Sequence, residues 1–181
     1  WSTSGWPNPT GRKMNFFDSK VVQNSNGSQT VVSATNSYIG SSNDFGGTWT
    51  VKFVPRFLAI DPDLVTFTTL AASPNFTNDK EIYLGSRFHG VLHTKDFGKT
   101  WRLQRGVPLD HPVTSIAVSP NYTNDRTAFV ATRAGQVWRT QDGGDTFLRV
   151  GASSIVSIGW AGQRYTWVAI SPQFATDNLV I

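Results

Sequence analysis

The sequence predicts an all-β protein built from repeated antiparallel sheets, and two spaced patterns carry that prediction. The pattern Ser/Thr-x-Asp-x-Gly-x-Thr-aromatic occurs at 42–49, 94–101 and 140–147, and we call these segments the eight-residue turns. A second pattern, Ser-Pro-amide-aromatic, opens the segments 73–79, 119–125 and 171–177, which we call the Ser-Pro turns. Both patterns recur after 46 or 52 residues. A period near fifty, with short strands between the copies, is typical of a β-propeller.

The composition fits such a fold and excludes several classes of function. Of the 181 residues, 13% are aromatic and 15% charged, with 16 glycines and 9 prolines, which indicates a packed core with many turns. The chain has no cysteine, so it has neither disulfides nor thiolate metal sites. No apolar run approaches the roughly 18 residues of a membrane-spanning helix. The net charge of +4 comes from scattered side chains, so we expect no nucleic-acid partner and no membrane span.

Each full unit is predicted to contain four consecutive strands. The predicted strands are 15–22, 30–34, 38–42 and 48–53 in the first unit, 66–72, 81–85, 91–94 and 100–104 in the second, and 113–118, 127–132, 136–140 and 146–150 in the third. A fourth unit begins with a strand at 165–170 and reaches Ile181 inside its second strand. The whole chain, 1–181, is thus predicted to be one β-propeller segment, with blades at about 15–53, 64–105, 113–150 and, in part, 165–181. Closed propellers usually have about 4–8 blades, so we expect the remainder of its own chain, or identical subunits, to complete the ring.

The eight-residue turns are predicted to join the third and fourth strands of each blade. An aspartate there accepts hydrogen bonds from backbone N–H groups a residue or two ahead, and the glycine supplies a positive φ. The closing aromatic side chain is expected to bury its surface against the neighbouring blade. The residues assigned to this structural role are Asp44, Gly46, Thr48, Trp49, Asp96, Gly98, Thr100, Trp101, Asp142, Gly144, Thr146 and Phe147.

This pattern resembles the Asp-box, also called the bacterial neuraminidase repeat, which marks β-propellers of sialidases, xyloglucanases and sortilin-type receptors. The resemblance rests on the three turns and their spacing. It implies a propeller fold, and it implies that the turns are structural and lie away from any active site. In sialidase-like propellers the ligand lies on the opposite face, where the second and third strands of each blade are joined.

Two arginines are predicted to lie at equivalent positions on that opposite face. Arg87 and Arg133 each follow the second strand of neighbouring blades, so they could clamp a carboxylate or sulfate of an acidic sugar. Phe88 and Trp160 are the aromatic residues placed to stack on a sugar. The alternative is that each arginine is a solvated turn residue or pairs with a nearby acid, and that Trp160 packs in the core.

No catalytic residue, cofactor or metal ligand is predicted within this chain. Glu81 is the only glutamate and opens a predicted strand, so the tyrosine–glutamate pair of a sialidase has no candidate here. Asp61, Asp63 and Asp110 lie in predicted blade links, but nothing around them matches a xyloglucanase motif. The three histidines, His89, His93 and His111, show no metal-ligand spacing.

Three segments match the acceptor pattern for N-linked glycosylation. They begin at Asn26, Asn75 and Asn121, all in predicted turns between first and second strands. An alternative explanation is that Asn and Thr suit these turns for backbone reasons. If these positions are glycosylated, the protein is secreted or displayed at the cell surface.

These observations predict a non-catalytic extracellular β-propeller module that acts as a structural or interaction unit of a secreted or surface glycoprotein and can self-assemble through open blade edges. Glycans are a candidate partner. The alternative is part of a sialidase- or xyloglucanase-like glycoside hydrolase acting on acidic or plant-type glycans. A sortilin-like receptor ectodomain is disfavoured because the chain lacks a cysteine-rich stretch.

Overall fold

A computed structural model describes residue 6 and the ranges 16–24, 27–35, 37–54, 66–150 and 166–181. The strands are β1 (Phe16–Gln23), β2 (Gln29–Thr35), β3 (Tyr38–Ser42), β4 (Thr50–Phe53), β5 (Phe67–Ala72), β6 (Ile82–Ser86), β7 (Val91–Thr94), β8 (Arg102–Leu103), β9 (Val113–Val118), β10 (Ala128–Thr132), β11 (Val137–Thr140) and β12 (Leu148–Val150). Three helices of one turn each, α1 (Phe76–Asp79), α2 (Tyr122–Asp125) and α3 (Phe174–Asp177), follow β5, β9 and the predicted first strand of the fourth unit.

The strands form three four-stranded antiparallel sheets in the orders β1-β2-β3-β4, β5-β6-β7-β8 and β9-β10-β11-β12. The predicted all-β propeller segment is therefore confirmed, and the ends of the twelve strands differ from the predicted ones by two residues at most. The first strands β1, β5 and β9 lie side by side, as expected when blades surround a common axis. The described sheets do not close a ring. None of the described helices has the length and apolar character needed to cross a membrane.

The fourth blade is less regular than predicted within the described residues. Ala169 and Ile181 exchange backbone hydrogen bonds of 2.7 and 2.9 Å, and an isolated bridge joins Ile170 to Val180. These contacts pair the two predicted strands, but no continuous ladder forms between them. Tyr165, where the first of these strands was predicted to start, lies outside the described residues.

The prediction of a simple turn for the Ser-Pro turns is incomplete, because each contains one turn of α-helix. In the first copy, the Asp79 carboxylate accepts hydrogen bonds from the Ser73 hydroxyl (2.5 Å) and the Glu81 amide (3.0 Å). Lys80 ends the helix in the left-handed region, with φ 57°. Four helical residues are too few to produce a 3.6-residue hydrophobic period, so the sequence pattern did not reveal them.

The three eight-residue turns share one hydrogen-bond scheme. In the second copy the Asp96 carboxylate accepts from the amide (2.9 Å) and the hydroxyl (2.7 Å) of Thr100, and the Thr94 hydroxyl also donates to it (2.8 Å). The aspartate thus bonds to a residue four positions ahead, not one or two as predicted. The predicted positive φ is present at Gly98 (77°), and Phe97 before it also has a left-handed φ of 54°.

The hydrophobic core lies between the sheets, not within any one of them. Trp101 and Phe97 of the second blade pack into a cluster with Ile39 of the first. Phe147 of the third blade packs with Tyr83 of the second. Each eight-residue turn after the first therefore packs against the preceding blade. The sequence predicts this packing for the closing aromatic residue of the turn.

Candidate functional site

Two turns on the face opposite the eight-residue turns present the predicted arginines. Arg87 follows β6 and its amide donates to the carbonyl of Thr66 (2.8 Å), while Arg133 follows β10 and its amide donates to the carbonyl of Pro112 (2.8 Å). Thr66 and Pro112 each directly precede the first strand of the same blade. The two arginines therefore occupy matching positions in adjacent blades, as the repeat alignment predicts.

The structure brings these arginines to one cleft of about 330 Å³, which we call the arginine cleft. The described residues that line it come from the second, third and fourth blades: Thr66, Thr68, Arg87, Pro112, Val113, Thr114, Arg133 and Trp167. Hydroxyls of two lining residues link the blades, since Thr68 donates to the carbonyl of Val113 and Thr114 donates to that of Thr166. Hydrogen bonds between adjacent blades thus fix two of the residues that line the cleft.

Trp167 is a lining residue that the sequence analysis missed. Its side chain is 73% exposed although the residue lies between the buried Thr166 and Val168. A large aromatic side chain exposed beside two arginines gives the cleft an apolar wall next to cationic groups. The repeat alignment contains a signal for it, because the residue four positions before the Ser-Pro turn is Thr69 or Ser115 in the preceding blades.

The other predicted ligand residues lie elsewhere or outside the described ranges. Phe88 is 45% exposed and lies under the Arg87 guanidinium, with 5.2 Å between the guanidinium carbon and the ring centre, but it does not line the cleft. Trp160 lies outside the described residues, as do Asp61 and Asp63. Asp110 is exposed, with its carboxylate 4.0 Å from the imidazole of His111.

A buried polar network joins the second and third blades at the other end of β6 and β10. The Glu81 carboxylate accepts hydrogen bonds from Arg126 (2.8 Å), Tyr122 (2.8 Å) and His93 (3.1 Å). The hydroxyls of Tyr83 and Tyr122 are 2.6 Å apart, and the Tyr83 ring stacks on His93 with 4.0 Å between ring centres. Glu81 and His93 are only 4% and 3% exposed. A buried carboxylate with three donors is stable as the charged form.

Burial and hydrogen bonding oppose each other in the pKa values of this network. Burial alone would raise the pKa of Glu81, but the bonds from His93, Arg126 and Tyr122 outweigh it and hold that pKa at about 2. Burial lowers the pKa of His93 despite the attraction of Glu81, so His93 is neutral at pH 7 and donates through Nε2–H. Burial raises the pKa of both tyrosines, which therefore stay protonated.

The sequence contains a signal for this network in departures from the repeat. Gly143 stands where the other two eight-residue turns have Phe45 and Phe97. A Cβ at Gly143 would lie 2.4 Å from the Arg126 guanidinium, so the cation occupies the space that a side chain at this position would need. The loss of the aromatic residue at Gly143, next to Arg126, indicates a contact specific to the interface between the second and third blades. The geometry indicates a structural role for Glu81, because the residue is buried and its carboxylate is held by three donors.

Acid is expected to destabilise the protein through this network. The pKa of His93 is lower in the folded protein than the ordinary value of 6.5, so its contribution is complete above pH 6.5 and falls as the pH drops. Glu81 contributes fully above pH 4.5, its ordinary pKa, and loses that contribution as the pH falls towards about 2. Circular dichroism melting curves should show a midpoint that decreases continuously from pH 7 downwards.

The variant His93→Gln separates the two contributions. In this variant the melting midpoint is expected to change little between pH 6.5 and 4.5 and still to decline below pH 4.5. A melting midpoint of the parent protein that rises as the pH falls from 6.5 to 4.5 would contradict the sign assigned to His93.

The described residues contain no group of three or more His, Asp or Glu side chains arranged to hold a metal ion. No protein-family model matches the sequence, and no curated protein matches it significantly. The fold does resemble solved structures. A GH74 enzyme from Niastella koreensis matches with a TM-score of 0.54 and 20% identity over 75% of this chain and 22% of its own.

Two further solved structures match at a similar level. The GH74 xyloglucanase from Xanthomonas campestris gives a TM-score of 0.52 and 15% identity over 84% of this chain and 27% of its own. The WD40 β-propeller domain of Doa1 gives a TM-score of 0.52 and 15% identity over 77% of this chain and 42% of its own. The chain therefore spans less than a third of the length of either GH74 structure. These matches show a β-propeller fold, whereas membership of the Asp-box family stays a prediction.

Proposed function

We propose that this chain is a non-catalytic interaction module of a secreted or surface protein, and that the arginine cleft binds an acidic glycan. The observation that carries the proposal is that Arg87, Arg133 and Trp167, from three successive blades, line one cleft. A site assembled from several blades needs the propeller fold, whereas a solvated surface arginine does not.

The chemistry of the lining residues favours a ligand that combines negative charge with an apolar face. Arg87 and Arg133 supply planar guanidinium donors that match the geometry of a carboxylate or sulfate. The described lining residues include no Asp or Glu. The exposed Trp167 ring offers a flat surface on which the C–H face of a sugar ring can stack. A cleft of about 330 Å³ lies at the lower end of the range for small-molecule sites.

Titration calorimetry with an oligosaccharide that carries uronic acid or sulfate groups tests the proposal. We expect binding of the acidic sugar and weaker or no binding of the same sugar after its carboxyl groups are reduced. Charge-assisted hydrogen bonds contribute about 1.5–3 kcal/mol each, so Arg87→Ala and Arg133→Ala should each weaken binding roughly 10- to 150-fold. The affinity should also fall as salt is added.

Arg149→Ala is the matched control, because it removes the same charge from an exposed position in β12. It is expected to leave the affinity within about twofold, since Arg149 does not line the cleft and an exposed charge is screened by salt. Equal binding of the acidic and the reduced sugar, or an equal loss of affinity in all three arginine variants, would overturn the proposal.

The second candidate is part of a glycoside hydrolase, and the likeness to the two GH74 structures is the observation that favours it. Release of reducing ends from xyloglucan or from the acidic oligosaccharide would support this alternative. Binding without release would support the interaction module.

A further inference from the structure

Two of the three Ser-Pro turns carry an Asn-x-Thr sequence, and the third does not. Asn75-Phe76-Thr77 lies in the second blade, and Asn121-Tyr122-Thr123 lies at the same position in the third. The fourth blade has Gln173-Phe174-Ala175 there, so both the asparagine and the threonine are replaced together. This third copy is an internal test of whether the turn itself requires Asn and Thr.

The turn keeps its conformation without either residue. The dihedral angles φ and ψ are −105° and 25° at Asn75, −101° and 22° at Asn121, and −106° and 24° at Gln173. In each copy the first serine donates to the carboxylate six residues later, at 2.5 or 2.6 Å. Each copy also ends in a left-handed residue. The backbone conformation therefore does not explain why two copies have Asn and, two residues later, Thr.

The hydroxyls of the two threonines have no role in the hydrogen bonding of the turn. Within the described ranges, the hydroxyls of Thr77 and Thr123 make no hydrogen bond. Thr123 is exposed and Thr77 half-buried. The Asn75 side chain accepts through Oδ1 from the side-chain amide of Asn78 (2.6 Å), and Asn121 accepts in the same way from Asn124 (2.6 Å). The Nδ2 groups of Asn75 and Asn121 make no hydrogen bond to a described residue.

We propose that Asn75 and Asn121 are acceptors of N-linked glycans. The hydroxyl two residues after the asparagine is part of the acceptor pattern, which accounts for threonines that the fold does not use. In the reaction, Nδ2 forms a bond to the anomeric carbon of an oligosaccharide carried on a lipid pyrophosphate. The bond from that carbon to the pyrophosphate oxygen breaks, the lipid pyrophosphate leaves, and the amide nitrogen loses one proton.

The positions of the two acceptors are compatible with ligand binding in the arginine cleft. The Ser-Pro turns join first and second strands, so they lie at the same ends of the blades as the eight-residue turns. The arginine cleft lies at the other ends of those strands. Glycans on Asn75 and Asn121 would cover one face and leave the cleft open. The predicted acceptor Asn26 lies outside the described residues, so the proposal concerns the two Ser-Pro turns only.

Peptide mass spectrometry of the protein made by its own cells tests the proposal. Trypsin releases Asn75 in the peptide 57–80 and Asn121 in the peptide 106–126. Treatment with an N-glycosidase in heavy-oxygen water should convert both asparagines into isotopically marked aspartates. Unmodified asparagine at both positions before treatment would overturn the proposal, and modification at only one would overturn it for the other.

Variants taken from the fourth blade provide the second measurement. The full chain, secreted by a glycosylating host, should lose one glycan in Asn75→Gln and one in Asn121→Gln, and also in Thr77→Ala and Thr123→Ala. These changes reproduce Gln173 and Ala175, so the fold should be retained and a melting curve checks it. Asn78→Gln is the matched control, because Asn78 is not followed by Ser or Thr two residues later. Loss of a glycan in that control, or none in the other four, would contradict the assignment.

Discussion

Replacing Glu81 with alanine is expected to destabilise the protein by about 3–5 kcal/mol, the usual cost of removing one partner of a buried ion pair. The substitution takes away the carboxylate that accepts from Arg126, Tyr122 and His93 at the interface of two blades. The donors of Tyr122 and His93 would then be buried without this acceptor. Since small domains are stable by about 5–15 kcal/mol, the loss should be evident as a large drop in the urea midpoint.

Two further variants distinguish the buried charge from a general loss of packing. Combining Glu81→Leu with Arg126→Met removes both charges together, so this double variant should be more stable than Glu81→Ala. Asp145→Ala breaks the exposed pair with Lys95, whose charged atoms are 3.8 Å apart. It should change stability by less than about 1 kcal/mol. Equal losses in Glu81→Ala and Asp145→Ala would contradict the structural role assigned to Glu81.

Replacing Gly106 with alanine is expected to have an effect of similar size for a steric reason. Gly106 lies in the link between the second and third blades with φ at 102°. A Cβ there would lie 2.0 Å from the carbonyl oxygen of Phe147 and 2.9 Å from its carbonyl carbon. The obstacle is backbone, which cannot rotate away as a side chain can. The Phe147 amide also donates to the carbonyl of Arg105 (3.0 Å), so a shift at Gly106 would disturb that bond.

The control for Gly106→Ala is Gly27→Ala, which imposes a similar dihedral cost without a collision. Gly27 has φ at 82°, and a Cβ there would have no atom within 4 Å apart from those of its chain neighbours. We expect about 1–2 kcal/mol for the left-handed alanine at Gly27. The overpacking at Gly106 should add at least about 1–3 kcal/mol. Equal urea midpoints for the two variants would show that Phe147 moves aside at little cost.

The repeats explain why the sheets could be predicted from the sequence. Strand ends, the hairpin position of the eight-residue turns and the positive φ of Gly98 all follow from local patterns that occur three times. The three helical turns could not be predicted in this way, because four residues are too few to show a helical periodicity. The network around Glu81 requires knowledge of which blades adjoin, and it depends on Arg126, a residue far along the sequence.

The candidate site was predictable in part for the same reason. The alignment of repeats placed Arg87 and Arg133 at matching positions, and a shared cleft follows once the two blades are adjacent. Trp167 was missed because a tryptophan in a predicted strand is ordinarily a core residue, and only the structure shows its side chain to be exposed. Phe88 is predicted to stack on a sugar, and its ring lies under the Arg87 guanidinium. Its contact with a ligand stays a prediction.

The location of the core between sheets has a consequence for how such a chain can grow and fold. The repeat in the sequence is one blade, but each core cluster is formed by the facing surfaces of two adjacent blades. The smallest unit that buries an apolar surface is therefore a pair of blades. Duplication of a blade therefore adds one new interface, and the inserted copy must fit neighbours on both sides at once. Cooperativity should pass from each blade to the next, as in other repeat arrays, so that a single excised blade would expose both of its apolar faces and fail to fold.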